Sequence, residues 1–265
     1  MGMQAAELVK AGDLAGARKL LLDAVKAAPA DPVKRFELAE LLLVTGEWER
    51  ADNHFDLVST QDVTWATAVA LLRQLIRAEV TRREVMEKGA SPELTTDPTP
   101  EVEAALRILV EIRQGNDAGE LRAEADEAAP EVAGAFNGAP FVGLRDLDDR
   151  TADVLEVLTS TGKYYWIPFS QIQGLELHPP KRLRDLVWRP ADLDVTDGPS
   201  GVVYIPAIYV AAADEQNDAL RMGRESDWIE DKGLTRGVGQ RCFMIGEDVV
   251  ALSEIETLTI NPGQG

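Results

Sequence analysis

Few side chains in this 265-residue chain are of the kinds that carry catalysis. It holds two histidines, His54 and His178, and one cysteine, Cys242. His54 stands next to Phe55 in a helical pattern, where an ordinary surface or interhelical role is expected. His178 precedes Pro179-Pro180 at an expected strand end and has no second His, Cys or paired carboxylate at metal-ligand spacing. With two histidines and no Ser or Cys in a recognisable nucleophile elbow, triad chemistry has little support. Cys242, inside the apolar run Cys242-Phe243-Met244-Ile245, reads as a small buried hydrophobe rather than a reactive thiolate.

Three charged segments could do other chemistry. Asp146, Asp148, Asp149 and Asp153 suggest a calcium loop, but the spacing lacks the glycine and terminal glutamate of an EF-hand, and a solvated turn is expected. Arg236-Gly237-Val238-Gly239-Gln240-Arg241 contains a Gly-x-Gly without the third glycine or the following helix of a nucleotide cradle. A glycine-permitted turn or bulge entering a strand is expected there, with arginines in structural ion pairs. Lys181-Arg182-Leu183-Arg184, followed at once by Asp185, fits a solvated edge or a local ion-pair cluster. No metal or organic cofactor is expected.

The chain carries 46 acidic against 27 basic side chains, a net charge of −19. That balance argues against a broad grip on nucleic acid or anionic lipid. Neither half hides a basic domain: up to Pro130 there are 15 basic and 24 acidic residues, a net of −9, which leaves −10 for the remainder. The N-terminus lacks the apolar stretch of a signal peptide. The longest apolar run, Gly201 to Ala213, is broken by Pro206 and falls short of the roughly 20 residues that span a bilayer. No membrane segment is expected, and a single cysteine fits a reducing cytoplasm.

The elements that would position any site begin with a repeat. Gly12-Asp13-Leu14, Ala17, Leu21 and Ala24 recur as Gly46-Glu47-Trp48, Ala51, Phe55 and Val58, always 34 residues on, the tetratricopeptide period. The Gly-acid pair makes the interhelical turn. Ala17 and Ala51 allow close helix approach, and Leu21 and Phe55 fill the gap one turn later. This predicts helices near 3–11, 14–27, 33–44 and 48–58. A further amphipathic helix is expected from 63 to 88, with Trp65, Ala68, Val69, Leu72, Ile76 and Val80 on one face. A Pro/Thr-rich break, Ser91 to Pro100, precedes helices expected at 101–114 and 117–129. Beyond Pro130 the grammar changes to short β-like runs. Val154 to Leu158 and Tyr164 to Ile167 flank a hairpin turn at Ser160-Thr161-Gly162-Lys163, and further strands are expected at 141–145, 174–178, 201–209, 241–245 and 249–259. The expected fold class is α+β: an all-helical tetratricopeptide-like domain over residues 1–130 and a compact β-rich domain over 131–265.

Ordered segments of the second half resemble the ImpE/SciE/TagJ family of type VI secretion accessory proteins. They are Phe136-Asn137-Gly138 with Phe141, Asp146 and Asp148; Leu155-Glu156; Gly162-Lys163-Tyr164-Tyr165-Trp166-Ile167-Pro168; Asp185-Leu186-Val187-Trp188-Arg189-Pro190-Ala191; Gly201-Val202-Val203-Tyr204-Ile205-Pro206; Gly223-Arg224 with Asp227-Trp228; and Arg236 through Arg241. Asn137 stands where the family pattern has Asp, a change a turn tolerates. The resemblance implies a non-enzymatic accessory protein that binds the small subunit of the contractile sheath and so associates with the AAA+ ATPase that disassembles it. It supplies no catalytic motif. The alternative is a small-ligand or enzymatic module in the second half, motivated by the arginine and glycine segment from Gly223 to Arg241.

A tetratricopeptide pair lines its concave side with the first helix of each unit. In the second unit Leu38, Ala39 and Leu42 are expected to pack inward, leaving Phe36, Glu40 and Leu43 toward the groove. An acid between two apolar anchors there suits an amphipathic helix bearing a basic residue. The competing expectation is that the 63–88 helix or the second domain covers this groove and makes Phe36 and Leu43 core. Trp166, Trp188 and Trp228 are all expected to be buried.

Overall fold

The computed structural model describes residues 2–210 and 217–260; the end of the apolar run expected through Ala213 lies outside the described residues. Seven helices come first: α1 Met3–Ala11, α2 Leu14–Ala27, α3 Pro32–Val44, α4 Trp48–Gln61, α5 Ala66–Lys88, α6 Pro100–Gln114 and α7 Gly119–Ala128. Among the described residues, none is long and apolar enough to cross a membrane.

The repeat residues do what their types dictate. Gly12 ends α1 in the left-handed region at φ 86°, where a side chain would be strained. Asp13 then caps α2, its carboxylate accepting from the Gly16 amide at 2.7 Å. Asp31 caps α3 in the same way, with Pro32 at the first helical position. Ala17, Ala51 and Phe55 are fully buried, and Leu21 nearly so. Consecutive helices from α1 to α5 pack on one another in order.

Strands follow: β1 Ala133–Phe136, β2 Ala139–Val142, β3 Leu144–Asp146, β4 Val154–Leu158, β5 Tyr164–Pro168, β6 Ile172–Leu177, β7 Trp188–Val195 and β8 Ser200–Pro206. After the short helix α8 Asp218–Arg221 come β9 Ser226–Asp231, β10 Leu234–Gly239, β11 Cys242–Ile245, β12 Asp248–Ala251 and β13 Thr257–Ile260. Eight of them form one antiparallel sheet in the order β2, β1, β13, β6, β7, β8, β4, β5; β12, β11 and β3 form a second; β9 and β10 form a separate hairpin. The β1–β2 hairpin closes through Asn137-Gly138 and the β9–β10 hairpin through Lys232-Gly233, with positive φ at all four residues, the geometry of type I′ turns.

Secondary structure changes between α7 and β1, but the apolar core does not follow that change. All five residues of β4 are buried. Val154 and Leu158 belong to a core with the helices, together with Tyr164, Trp166 and Trp188, whereas Leu155, Val157 and Ile167 join a second core with Phe243, Ile245 and Val250 of the small sheet. The period-two alternation of β4 and β5 thus feeds two cores at once. The Pro/Thr-rich break lies along the edge of the large sheet: the Glu93 amide donates to the Tyr164 carbonyl at 2.9 Å, and the Trp166 amide to the Glu93 carbonyl at 3.1 Å.

Three expectations are corrected. Val80, expected on the buried face of α5, is 41% exposed, and the buried face carries Glu79 and Arg82 instead; the sheet covers that side of the helix and supplies polar partners. Trp228, expected in the core, is 38% exposed, because it stands in the stretch of β9 from 227 to 230 that faces solvent, where its ring meets Tyr209 edge-on at 5.9 Å. Trp166 and Trp188 are buried as expected. Finally, Asp146 and Asp148 are not in a solvated turn: both are essentially without solvent contact, held among arginines as described below.

Candidate functional site

Helix α3 is the centre of the helical array, and from Leu38 to Val44 every residue is buried. Such an all-round apolar helix has neighbours on every side. Leu38, Ala39 and Leu42 pack inward as expected, but Leu43 is fully enclosed too. Phe36 is 5% exposed, edge-on to Phe55 at 5.4 Å and tilted against Trp65 at 4.7 Å. The expectation that Phe36, Glu40 and Leu43 all face an open groove is therefore corrected, and the competing one describes the structure: a turn of the β-rich half, residues 183–186, packs against α3.

Glu40 lies at that junction. Arg184 donates to its Oε1 at 2.6 Å, which makes Arg184 part of the ion-pair cluster expected in the 181–185 run. Burial raises the Glu40 pKa above the ordinary carboxylate value, opposed by the neighbouring Arg184. Beside this pair a cleft of about 840 Å³ remains between α3 and the segment from Pro180 to Leu186. Its apolar lining is Val33, Phe36, Trp65, Leu183 and Leu186, and its polar lining is Lys10, Glu37, Glu40, Lys181 and Arg182. Two of the three candidate residues thus reach the cleft, Phe36 and Glu40, while Leu43 does not.

A second constellation joins the two halves. Arg82 of α5 donates to Glu156 of β4 twice, Nε to Oε1 at 2.9 Å and Nη2 to Oε2 at 3.0 Å, a bidentate fork. Its remaining donors reach Glu79 Oε1 at 3.3 Å and the Ile208 carbonyl at 3.1 Å. Glu156 also accepts from Tyr164 and Arg241. Arg241 extends the chain of charges to Asp146 at 3.1 Å, and the Tyr209 hydroxyl lies 2.8 Å from Asp146 Oδ1. Trp188 Nε1 donates to Glu79 Oε2 at 3.2 Å, and the Trp188 ring stacks on Trp48 of α4 at 5.7 Å.

Burial dominates the electrostatics of this seam. It pushes the Asp146 pKa up to about 6 although Arg241 opposes the rise, and it lowers Arg241 to about 10. For Asp148 burial is outweighed by Arg150, whose guanidinium holds the carboxylate below its ordinary value. Each of these charged groups has an oppositely charged partner in contact, as burial in a low-dielectric interior requires.

The other residues considered for chemistry have structural partners. His54 Nδ1 lies 3.3 Å from Arg35 Nη1 and bridges α3 and α4. His178 pairs with Asp192 at 2.9 Å. Cys242 is buried. In the glycine and arginine segment, Arg224 donates to the Val9 carbonyl at 2.8 Å, Arg236 to Asp231 at 3.2 Å, and Arg241 to the seam. Gly237 leaves room for the Tyr209 ring, which a Cβ would meet at 2.3 Å. Among the described residues, no group of three or more His, Cys, Asp or Glu side chains is placed to hold a metal ion.

A tetratricopeptide-type array packed against an antiparallel β domain, with a composite cleft at the junction, defines a helical-repeat protein. Family models agree with both parts: a tetratricopeptide repeat over residues 8–76 and the ImpE protein family over residues 138–259. The chain is 36% identical over 264 residues to the type VI secretion system accessory component TagJ of Pseudomonas aeruginosa, covering 99% of this chain and 92% of the relative. It belongs to the ImpE/TagJ family. The crystal structure of protein VPA1032 from Vibrio parahaemolyticus has the same fold, with a TM-score of 0.89 at 27% identity over 99% of each chain.

Proposed function

We propose that this chain is a non-enzymatic cytoplasmic accessory protein of a type VI secretion system, an adaptor that binds the small sheath subunit and thereby associates with the AAA+ ATPase that disassembles the contracted sheath. The near-full-length similarity to an accessory component of that system carries the reading. The cleft beside α3 supports it, because helical arrays present such grooves to a partner's helix or peptide. Phe36 and Glu40 belong to the docking surface as its floor, and Leu43 supports them from within.

The test is a pulldown of the sheath subunits and the ATPase with the full chain as bait. Retention of the small sheath subunit, and of the ATPase when that subunit is present, is expected. If neither is retained under conditions that keep the sheath assembled, the adaptor reading fails.

A further inference from the structure

The cleft has the opposite charge preference to the one its α3 residues suggest. Glu40, the acid that would draw a basic helix, is 8% exposed and already engaged by Arg184. The rest of the polar lining is three cations, Lys10 from α1 and Lys181 and Arg182 from the β-rich half, against one further acid, Glu37 of α3. All three are exposed, and none has an ion-pair partner within 4 Å among the described residues. They surround an apolar floor of Phe36, Trp65, Leu183 and Leu186. In a chain of net charge −19, three cations against Glu37 and the already engaged Glu40 are a local excess of positive charge, so an acidic ligand is held by contacts at the cleft and not by long-range attraction.

We propose that this cleft binds an acidic amphipathic helix of the partner protein, its apolar stripe on Phe36, Trp65, Leu183 and Leu186 and its carboxylates on Lys10, Lys181 and Arg182. The cations come from both halves of the chain, so the recognition surface exists only in the intact molecule. The lysines grip carboxylates as point charges and Arg182 as a fork, while the floor supplies the desolvated contact on which helix-in-groove recognition depends. Which protein contributes the helix rests on the adaptor reading; the chemistry of the cleft does not.

Two fluorescent helical peptides of about 16 residues separate these points: they share one Leu/Phe stripe and differ only in carrying Glu or Lys on the flanking positions. Titrated with the full chain, the Glu peptide is expected to bind at least about tenfold tighter, and to weaken several-fold as salt rises from about 50 to about 300 mM. The double variant Lys181→Glu, Arg182→Glu should remove or invert that preference while far-UV circular dichroism shows the native fold, since both side chains are exposed and have no ion-pair partner within 4 Å among the described residues; Lys10→Gln should weaken it alone. Equal binding of the two peptides, tighter binding of the Lys peptide as the net charge alone would favour, or a preference indifferent to the charge reversal overturns the proposal. The small sheath subunit is titrated in parallel. Binding that the charge reversal abolishes supports both readings, and binding that it leaves intact overturns the cleft assignment alone. A preference for the Glu peptide with no binding of the sheath subunit supports the cleft chemistry and removes the adaptor reading.

Discussion

Replacing Glu156 by Gln keeps the shape of the side chain and removes a carboxylate that joins the helical array to the sheet. In the native chain Glu156 is 1% exposed and accepts from Arg82 twice, from Arg241 and from Tyr164. The amide offers one acceptor oxygen and turns an N–H₂ donor toward a guanidinium. Four charge-assisted bonds at roughly 1.5–3 kcal/mol each would set an upper bound near 6–12 kcal/mol. Arg82 keeps Glu79 and the Ile208 carbonyl, and Arg241 keeps Asp146, so the loss should fall to the roughly 3–5 kcal/mol typical of breaking a buried pair from one side. For a chain of this length that is a fall in Tm on the order of 10 °C. Urea unfolding followed by far-UV circular dichroism gives the energy, and hydrogen exchange read by mass spectrometry gives its location. Protection should fall together in peptides from α5 and from β4 and β5, because the charge pair and the core span both. A loss under about 1 kcal/mol, or sheet peptides that lose protection while α5 keeps its own, would refute the claim that the seam couples the halves.

Three further outcomes are expected. Trp188→Ala should cost about 3–5 kcal/mol, whereas Trp228→Ala, on the exposed hairpin, should cost well under half of that, measured by urea unfolding of each variant. Phe36→Ala and Leu43→Ala should each cost roughly 2–5 kcal/mol; a variant at Leu43 that melts like wild type would restore the open-groove expectation. The raised Asp146 pKa means that the folded chain holds a proton more tightly than the unfolded one between about 4 and 6. Stability from this group is therefore present below about pH 4 and lost as pH rises through about 6, by about 3 kcal/mol, and Asp146→Asn should flatten that part of the stability-versus-pH curve.

The helical half was legible because its signals are local. A 34-residue echo, a Gly-acid turn and a Pro at the start of α3 place helices to within a few residues of those observed. Most of the second half was readable as strands for the same reason, and the misses have particular causes. Residues 188–195 alternate Ala191, Leu193 and Val195 with Asp192 and Asp194, a period-two signal interrupted at its start by Pro190. The β9–β10 hairpin was hidden by exposure of nearly all of β9, although Lys232-Gly233 is a turn signal of the same kind as Asn137-Gly138. Of the seam, only the ion-pair role of Arg241 was readable: Arg82 and Glu156 are 74 positions apart, and each alone looks like a surface residue. The cleft residues were half readable, since helical spacing located Phe36 and Glu40 but could not reveal that Arg184, 144 positions away, would neutralise the acid.

The shared core has a practical consequence for mapping interactions by deletion. A fragment ending near residue 130 would keep every tetratricopeptide signature, yet it would expose the side of α5 that carries Glu79 and Arg82, strip Trp48 of its stacking partner and leave Glu40 without Arg184. The complementary fragment would uncover Trp166, Trp188 and the Glu156 carboxylate. Each piece would offer a sticky apolar face with bare charges, so false capture and false loss are both built into truncation. Contact points on this molecule are better sought by substitutions at exposed positions of the whole chain.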